Sequence, residues 1–289
     1  MKETLLIQIY DFVCNIYDTN FSTCFQRSSN NQNELLFTDQ EAITIWFFGH
    51  LQKRYEKKQI FEFIQDYWQN WFPTLPSYQA FVHRLNLLEP SFQTIGQVLM
   101  ASVGSQIVPE FDKLTDSMPI MLAKQGHAYQ AKVAHEIANI GYCEAKKMYF
   151  HGVRLNVIGQ KCFQKLPIPE QMFVCHGSVY DPTAFKEQEI MLKNTDIFMD
   201  KAYTQIELAQ KLKTQNTRVI SPKKKPKGKE LTKREKYFNR LISKFRQPIE
   251  GFFNWLIEKT KIQIASKVRS FEGLMIHCFG KLAVAIFSL

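Results

Sequence analysis

The chain has 289 residues, 45% of them hydrophobic, with a net charge of +10 and a pI of about 9.2. That apolar content suffices for one large core or two smaller ones and excludes a disordered chain, while the basic excess favours a polyanionic partner through long-range attraction and counterion release. The six cysteines are scattered without metal-ligand spacing, which excludes a zinc framework and leaves free, mostly core thiols.

The opening residues hold Glu3, Asp11 and Asp18 and lack an uninterrupted apolar stretch, so no export signal is expected. Thr38 begins a Thr-Asp-Gln-Glu run, a capping-box pattern with Glu41. It is followed by Trp46, Phe47, Phe61, Phe63, Ile64, Tyr67 and Trp68 at helical spacing. Pro73 and Pro76 stop that pattern, and Ser77 is placed to cap another helix over 78–88, which carries His83 and Arg84. A short capped helix after a tight turn suits the reading element of a helix-turn-helix, and equally a helical support domain whose aromatics are core.

Beyond residue 108 the pattern changes. Segments 148–158, 171–176, 197–200 and 217–221 are short, aromatic or β-branched, and bounded by turn residues, which predicts strands. With 111–115 as the first strand and helices at 182–192 and 203–212, the order gives a mixed five-stranded α/β sheet. Segment 221–236 has eight Lys or Arg against two Glu, with two prolines and a glycine, and is expected as a solvated basic loop. The apolar end, 274–289, is interrupted by His277 and Lys281 and is shorter than the roughly 20 residues a membrane span needs, so it is expected to be a buried helix.

Asp116 and Asp200 each follow an apolar strand segment, and Pro119 is expected to stop the first of them. Carboxylates at the ends of neighbouring strands project into the crevice beyond a sheet, where a hard divalent ion accepts oxygen ligands, although an aspartate so placed also serves as a helix cap. Glu250 lies in a predicted helix, 245–259, beside an apolar stripe of Ile249, Phe252, Phe253, Leu256 and Ile257. Arg246 is one turn earlier and able to pair with it. Pro248 is expected in the first turn or at a kink, which would bring Glu250 near the positive end of the helix dipole.

The ordered landmarks Asp116-Ser117-x-Pro119, Tyr149-Phe150-x-Gly152-x-Arg154-Leu155, Asp200-Lys201-Ala202-Tyr203 and Arg246-x-x-Ile249-Glu250-x-x-Phe253 resemble those of DDE insertion-sequence transposases. The Asp-Ser-x-Pro form is most similar to insertion-sequence family nine-eighty-two. This chain has Tyr180 before Asp181 where relatives often carry His, and Ser243 and Ile257 where a sister group has Tyr and Lys.

The resemblance implies an RNase H-like catalytic domain over 106–289, with its basic loop at 221–236, after a helical DNA-end-binding domain over 1–105. It implies that Asp116, Asp200 and Glu250 hold Mg²⁺, with Mn²⁺ as a substitute, for strand cleavage at element ends and strand transfer into target DNA. Lys201 and Arg246 become phosphate contacts, Lys223, Lys224, Lys225 and Lys227 an electrostatic clamp, and His83 and Arg84 the side chains nearest the bases. The implied partners are double-stranded DNA (terminal inverted repeats and target) and further copies of the chain in a dimer or higher assembly. The implied location is the cytoplasm, at the nucleoid when DNA is bound, with no membrane partner. Two other readings stay open at this point: a catalytically inactive DNA-binding derivative, and an unrelated metal-dependent α/β nuclease.

Overall fold

The computed structural model describes residues 2–20, 36–105, 112–163, 165–179, 181–188, 190, 192–201, 206–228 and 230–289. Its chain divides into two compact units, 1–99 with 259–262 and 267–289, and 100–258 with 263–266.

The chain begins with helices α1 (Lys2–Asn20), α2 (Asp39–Leu51), α3 (Lys57–Tyr67), α4 (Tyr78–Leu87) and α5 (Glu89–Ser105). Thr38 and Glu41 close the expected capping box on α2: the Glu41 amide donates to Thr38 Oγ1 at 3.2 Å, and the Thr38 amide donates to Glu41 Oε2 at 2.7 Å. Ser77 caps α4 by accepting from the Ala80 amide. Residues 42–50 of α2 are all buried, as in a helix with neighbours on every side.

Strands β1 (Asp112–Lys124), β2 (Asn139–Cys143), β3 (Met148–Gln160), β4 (Ile168–His176), β5 (Asp196–Phe198) and β6 (Arg218–Ile220) form one mixed sheet. Its order is β2-β3-β1-β5-β6, with β4 also on β3. β1, β2, β3 and β4 pair antiparallel, while β5 joins β1 in parallel and β6 joins β5 in parallel. This is the mixed α/β sheet with flanking helices that the RNase H-like reading requires. β2 is a sixth strand beyond the five expected, pairing with the first half of β3 while β4 takes the second half of that edge. Gly152 lies between β1 and β2 where a Cβ would come within 2.1 Å of the Ile120 carbonyl oxygen, so the close backbone approach requires glycine there.

β1 is longer than the predicted 111–115, and Phe111 lies outside the described residues. Pro119 does not stop it. β5 covers only Asp112, Leu114 and the residue between, and further along the same edge the Met121 amide donates to the Gln263 carbonyl. By the two-residue alternation of a strand, the missing N–H of Pro119 points to that edge, into the interval between the two partners, where no ladder bond is lost.

Helices α6 (Asp181–Glu187) and α7 (Ile206–Lys213) flank β5, each shorter than predicted; residues 203–205 of the second prediction lie outside the described residues. Helix α8 (Lys233–Thr260) starts well before the predicted 245, because Thr232 and Glu235 form a second capping box, with the Glu235 amide on Thr232 Oγ1 at 3.2 Å and the Thr232 amide on Glu235 Oε2 at 3.0 Å. The basic loop therefore ends at Thr232, and the rest of the run is helix. Pro248 lies deep inside α8 and not in its first turn, so the expected dipole effect on Glu250 does not apply.

The chain closes with α9 (Phe271–Met275), a π-helical turn at Ile276–Gly280, and α10 (Lys281–Phe287). As expected of the apolar terminus, α10 is buried, and Phe287 packs against Phe12 of α1 and Phe47 of α2 at centroid distances of 4.8 and 5.6 Å. It carries Lys281 into the helical core at 1% exposure, where desolvation lowers its pKa to about 8 and burial of the neighbouring His50 lowers that group to about 3. Among the described residues no helix is long and apolar enough to cross a membrane.

Candidate active site

β1 and β5 run parallel with Leu114 opposite Phe198. Two residues further along stand Asp116, still within β1, and Asp200, just past the end of β5; strand alternation turns the Asp116 carboxylate to the face that Leu114 and Phe198 share. Asp116 is within β1 and not at its end as the sequence suggested, whereas Asp200 does follow the end of β5.

Helix α8 covers this face. Phe198 stacks on Phe245 with ring centroids 4.1 Å apart and planes 30° from parallel, and Lys161 Nζ lies 3.8 Å from the Phe245 ring centroid. That contact fixes the next residue, Arg246, whose side chain is only 8% exposed. Its Nη2 donates to Asp116 Oδ2 at 3.1 Å, and its Nη1 lies 3.7 Å from Asp200 Oδ1. The other Asp116 oxygen, Oδ1, accepts from the Ser117 amide at 2.9 Å. One buried guanidinium thus faces two carboxylates whose side chains are 24% and 46% exposed, while its Nε is buried with no hydrogen-bond partner.

The structure brings Asp116, Asp200 and Arg246 together. Glu250 is exposed on α8 one turn beyond Arg246, a rise of about 6 Å on the same flank. Among the described residues, no three His, Cys, Asp or Glu side chains are gathered closely enough to hold a metal ion, so the third acid does not meet the other two here. Arg246, expected at a phosphate or paired to Glu250, has its terminal nitrogens turned to the aspartates. Lys201 is exposed beside Asp200; Ala202 and Tyr203 of that landmark, and Tyr180 of another, lie outside the described residues.

Of the basic segment, Lys223 pairs with Glu235 at 3.2 Å and Lys225 with Glu230 at 3.4 Å, while Lys224 and Lys227 are exposed. In the helical unit His83 is exposed on α4, whereas Arg84 forms an ion pair with the buried Asp39 of α2. Arg154 is tied down by its Nε to the Gly177 carbonyl at 3.1 Å and its Nη2 to the Tyr142 carbonyl at 2.8 Å, which makes that landmark a strut between β2, β3 and the turn after β4. Phe245 escaped the sequence reading, although it sits four residues before Ile249 and so extends the apolar stripe of α8 by one turn.

A mixed sheet flanked by helices, with two aspartates converging on one arginine under a long helix, defines a mixed α/β protein. Residues 114–287 match the family described as the transposase DDE domain, and the chain belongs to that family. It is thereby a DNA transposase, an enzyme acting on DNA in a family that works with divalent metal ions. No curated protein matches the chain. Among solved structures, one described as a cryo-EM structure of piggyBac transposase synaptic complex with hairpin DNA aligns at 8% identity over 96% of this chain and 70% of that one, with a TM-score of 0.48.

Proposed function

We propose that Asp116, Asp200 and Glu250 are the acidic triad that holds Mg²⁺, or Mn²⁺ in its place, and that this site cleaves DNA at element ends and joins the freed end to target DNA. The observation that carries the proposal is the convergence of Asp116 and Asp200 on the Arg246 guanidinium: the pair already accommodates one cationic group. Two adjacent carboxylates with solvent access suit a hard divalent ion, which takes oxygen ligands and keeps places for water and phosphate. When bound, a pair of such ions supplies an activated attacking oxygen and a stabilised leaving oxygen for in-line displacement at phosphorus.

The chain's own residues do the rest. β1 and the segment after β5 bring Asp116 and Asp200 to the same guanidinium, and α8 carries Glu250 one turn beyond Arg246 on the same flank. Lys201 lies next to Asp200 on the exposed side, placed for a phosphate of the bound strand. Hydrolysis breaks one phosphodiester and leaves a 3′-hydroxyl; that hydroxyl then attacks a second phosphodiester, its proton leaving to solvent as the target strand's 3′-oxygen departs. Both displacements use the same carboxylates.

The finer assignments belong to the same reading. The Asp116-Ser117-x-Pro119 order favours insertion-sequence family nine-eighty-two, and the site works in the cytoplasm at the nucleoid, on a homodimer or larger assembly. Residues 1–105 form the end-binding domain through α4, with His83 among its exposed side chains and Arg84 holding α4 to α2 through Asp39. Residues 106–289 supply the catalytic domain.

The test is a strand assay with purified protein on a duplex carrying the element's end. Cleavage followed by joining should appear with Mg²⁺ or Mn²⁺ and not with Ca²⁺, whose looser shell does not impose the compact octahedral geometry of the smaller ions. Binding without cleavage would point to an inactive DNA-binding derivative, and cleavage without joining to a nuclease. His83→Ala should reduce the preference for the end over a scrambled duplex; an unchanged preference would remove α4 from recognition.

A further inference from the structure

The β2-β3 hairpin exposes aromatic surface that neither the core nor the acidic site uses. Tyr142 and Tyr149 are directly opposite each other on the two strands, with ring centroids 5.0 Å apart, and Tyr129, from the short helical turn after β1, lies 5.9 Å from Tyr149. Their exposures are 41%, 49% and 60% respectively for Tyr142, Tyr149 and Tyr129, and Ile140, two residues before Tyr142 on the same face, is also exposed. Side chains this large usually give up water on folding, so a contiguous exposed group of them marks a surface with a partner.

Position and charge identify the partner. Along β3, Tyr149 and Val157 are separated by an even number of residues, and Val157 is opposite Asp116, so the tyrosines share the sheet face of the acidic site. At ~3.3 Å per residue they stand on the order of 26 Å from it. The turn of the hairpin carries exposed Lys146 and Lys147 against one acid, Glu144. The rings are tilted by 48° and 58° to one another, so neither neighbour covers a ring face completely. Open π-faces beside cations suit nucleobases and phosphates, whereas a protein interface calls for a larger and less basic apolar core.

We propose that Tyr129, Tyr142 and Tyr149 form a stacking surface for unpaired bases of the DNA strand that enters the site. The inference rests on the reading of this chain as an enzyme acting on DNA strands. Lys146 and Lys147 hold the backbone of that strand, and the rings take its bases without selecting among them, because every base offers a π-face.

The test measures binding of the full chain to a labelled oligothymidylate and to an abasic strand of the same length and charge. The wild type should bind the thymidylate at least about tenfold more tightly. Combined Tyr129→Ala, Tyr142→Ala and Tyr149→Ala should abolish that preference, and the three Phe substitutions should keep it. If the triple Ala variant is poorly folded, Tyr129→Ala alone, outside the sheet, should lower the preference measurably. Equal binding of the two strands by the wild type, or a preference that survives the Ala substitutions, overturns the proposal. So does loss of self-association as the sole effect of the Ala variants, which would make the surface a contact between copies. Strand cleavage by a wild type that shows no base preference would sink this inference alone, and base preference without cleavage would sink the catalytic reading alone.

Discussion

Arg246 decides the electrostatics of the site. Two carboxylates brought to one face repel each other, and a buried guanidinium between them offsets that repulsion at the cost of its own desolvation. Because Asp200 is nearly half exposed, solvent screens part of the effect. Arg246→Met should therefore lower stability by about 1–2 kcal/mol in metal-free buffer. A divalent ion bound by the same carboxylates should restore more stability to the variant than it adds to the wild type, since a competing cation has been removed. Thermal unfolding in chelator and in millimolar Mg²⁺ reads this directly; equal gains for the two proteins would mean that the aspartates do not hold the ion. Asp116 and Asp200 were legible in the sequence because each follows an apolar strand segment. The contact with Arg246 was not, because it depends on how α8 lies across β1 and β5, which local spacing does not encode. Pro119 misled for a related reason: whether a proline ends a strand depends on what pairs with its edge.

At the scale of elements, α8 and the segment before it carry much of the basic charge. Sequence composition placed a solvated run at 221–236, and the exposed lysines agree, but the Thr232-Lys233-Arg234-Glu235 spacing was itself a capping-box signal that starts the helix. β2 was missed because Asn139–Cys143 is short and has a glycine at its centre, so its strand character comes from pairing with β3. The ion pairs of Lys223 with Glu235 and Lys225 with Glu230 are on the surface and contribute little to stability, yet they partly neutralise those lysines for DNA. Lys224→Gln with Lys227→Gln should therefore account for most of any clamp effect. The double variant should weaken every duplex by a similar factor and flatten the salt dependence by up to about 0.9 log units per lost phosphate contact. Folding should be unchanged. An unaltered slope in affinity measured across salt concentrations would make the segment a bystander.

At the scale of the whole molecule, the helical and sheet units each have an internal logic that the sequence conveyed unequally. The aromatic-rich helices, the shift to strand patterns beyond residue 108 and the buried terminal helix could all be read from periodicity. That the apolar terminus groups with the N-terminal helices could not, since Phe287 finds Phe12 and Phe47 only through contacts remote in sequence. On the proposed reading, activity of the whole depends on three acids from three places in the fold: β1, the segment after β5, and α8. Single-turnover cleavage of an end-containing duplex in Mg²⁺ by Asp116→Asn, Asp200→Asn and Glu250→Gln tests that dependence most directly, because each change removes a ligand charge and keeps the side-chain volume. All three should lose cleavage while binding the duplex with near wild-type affinity, and wild-type cleavage by any one of them would remove that acid from the site.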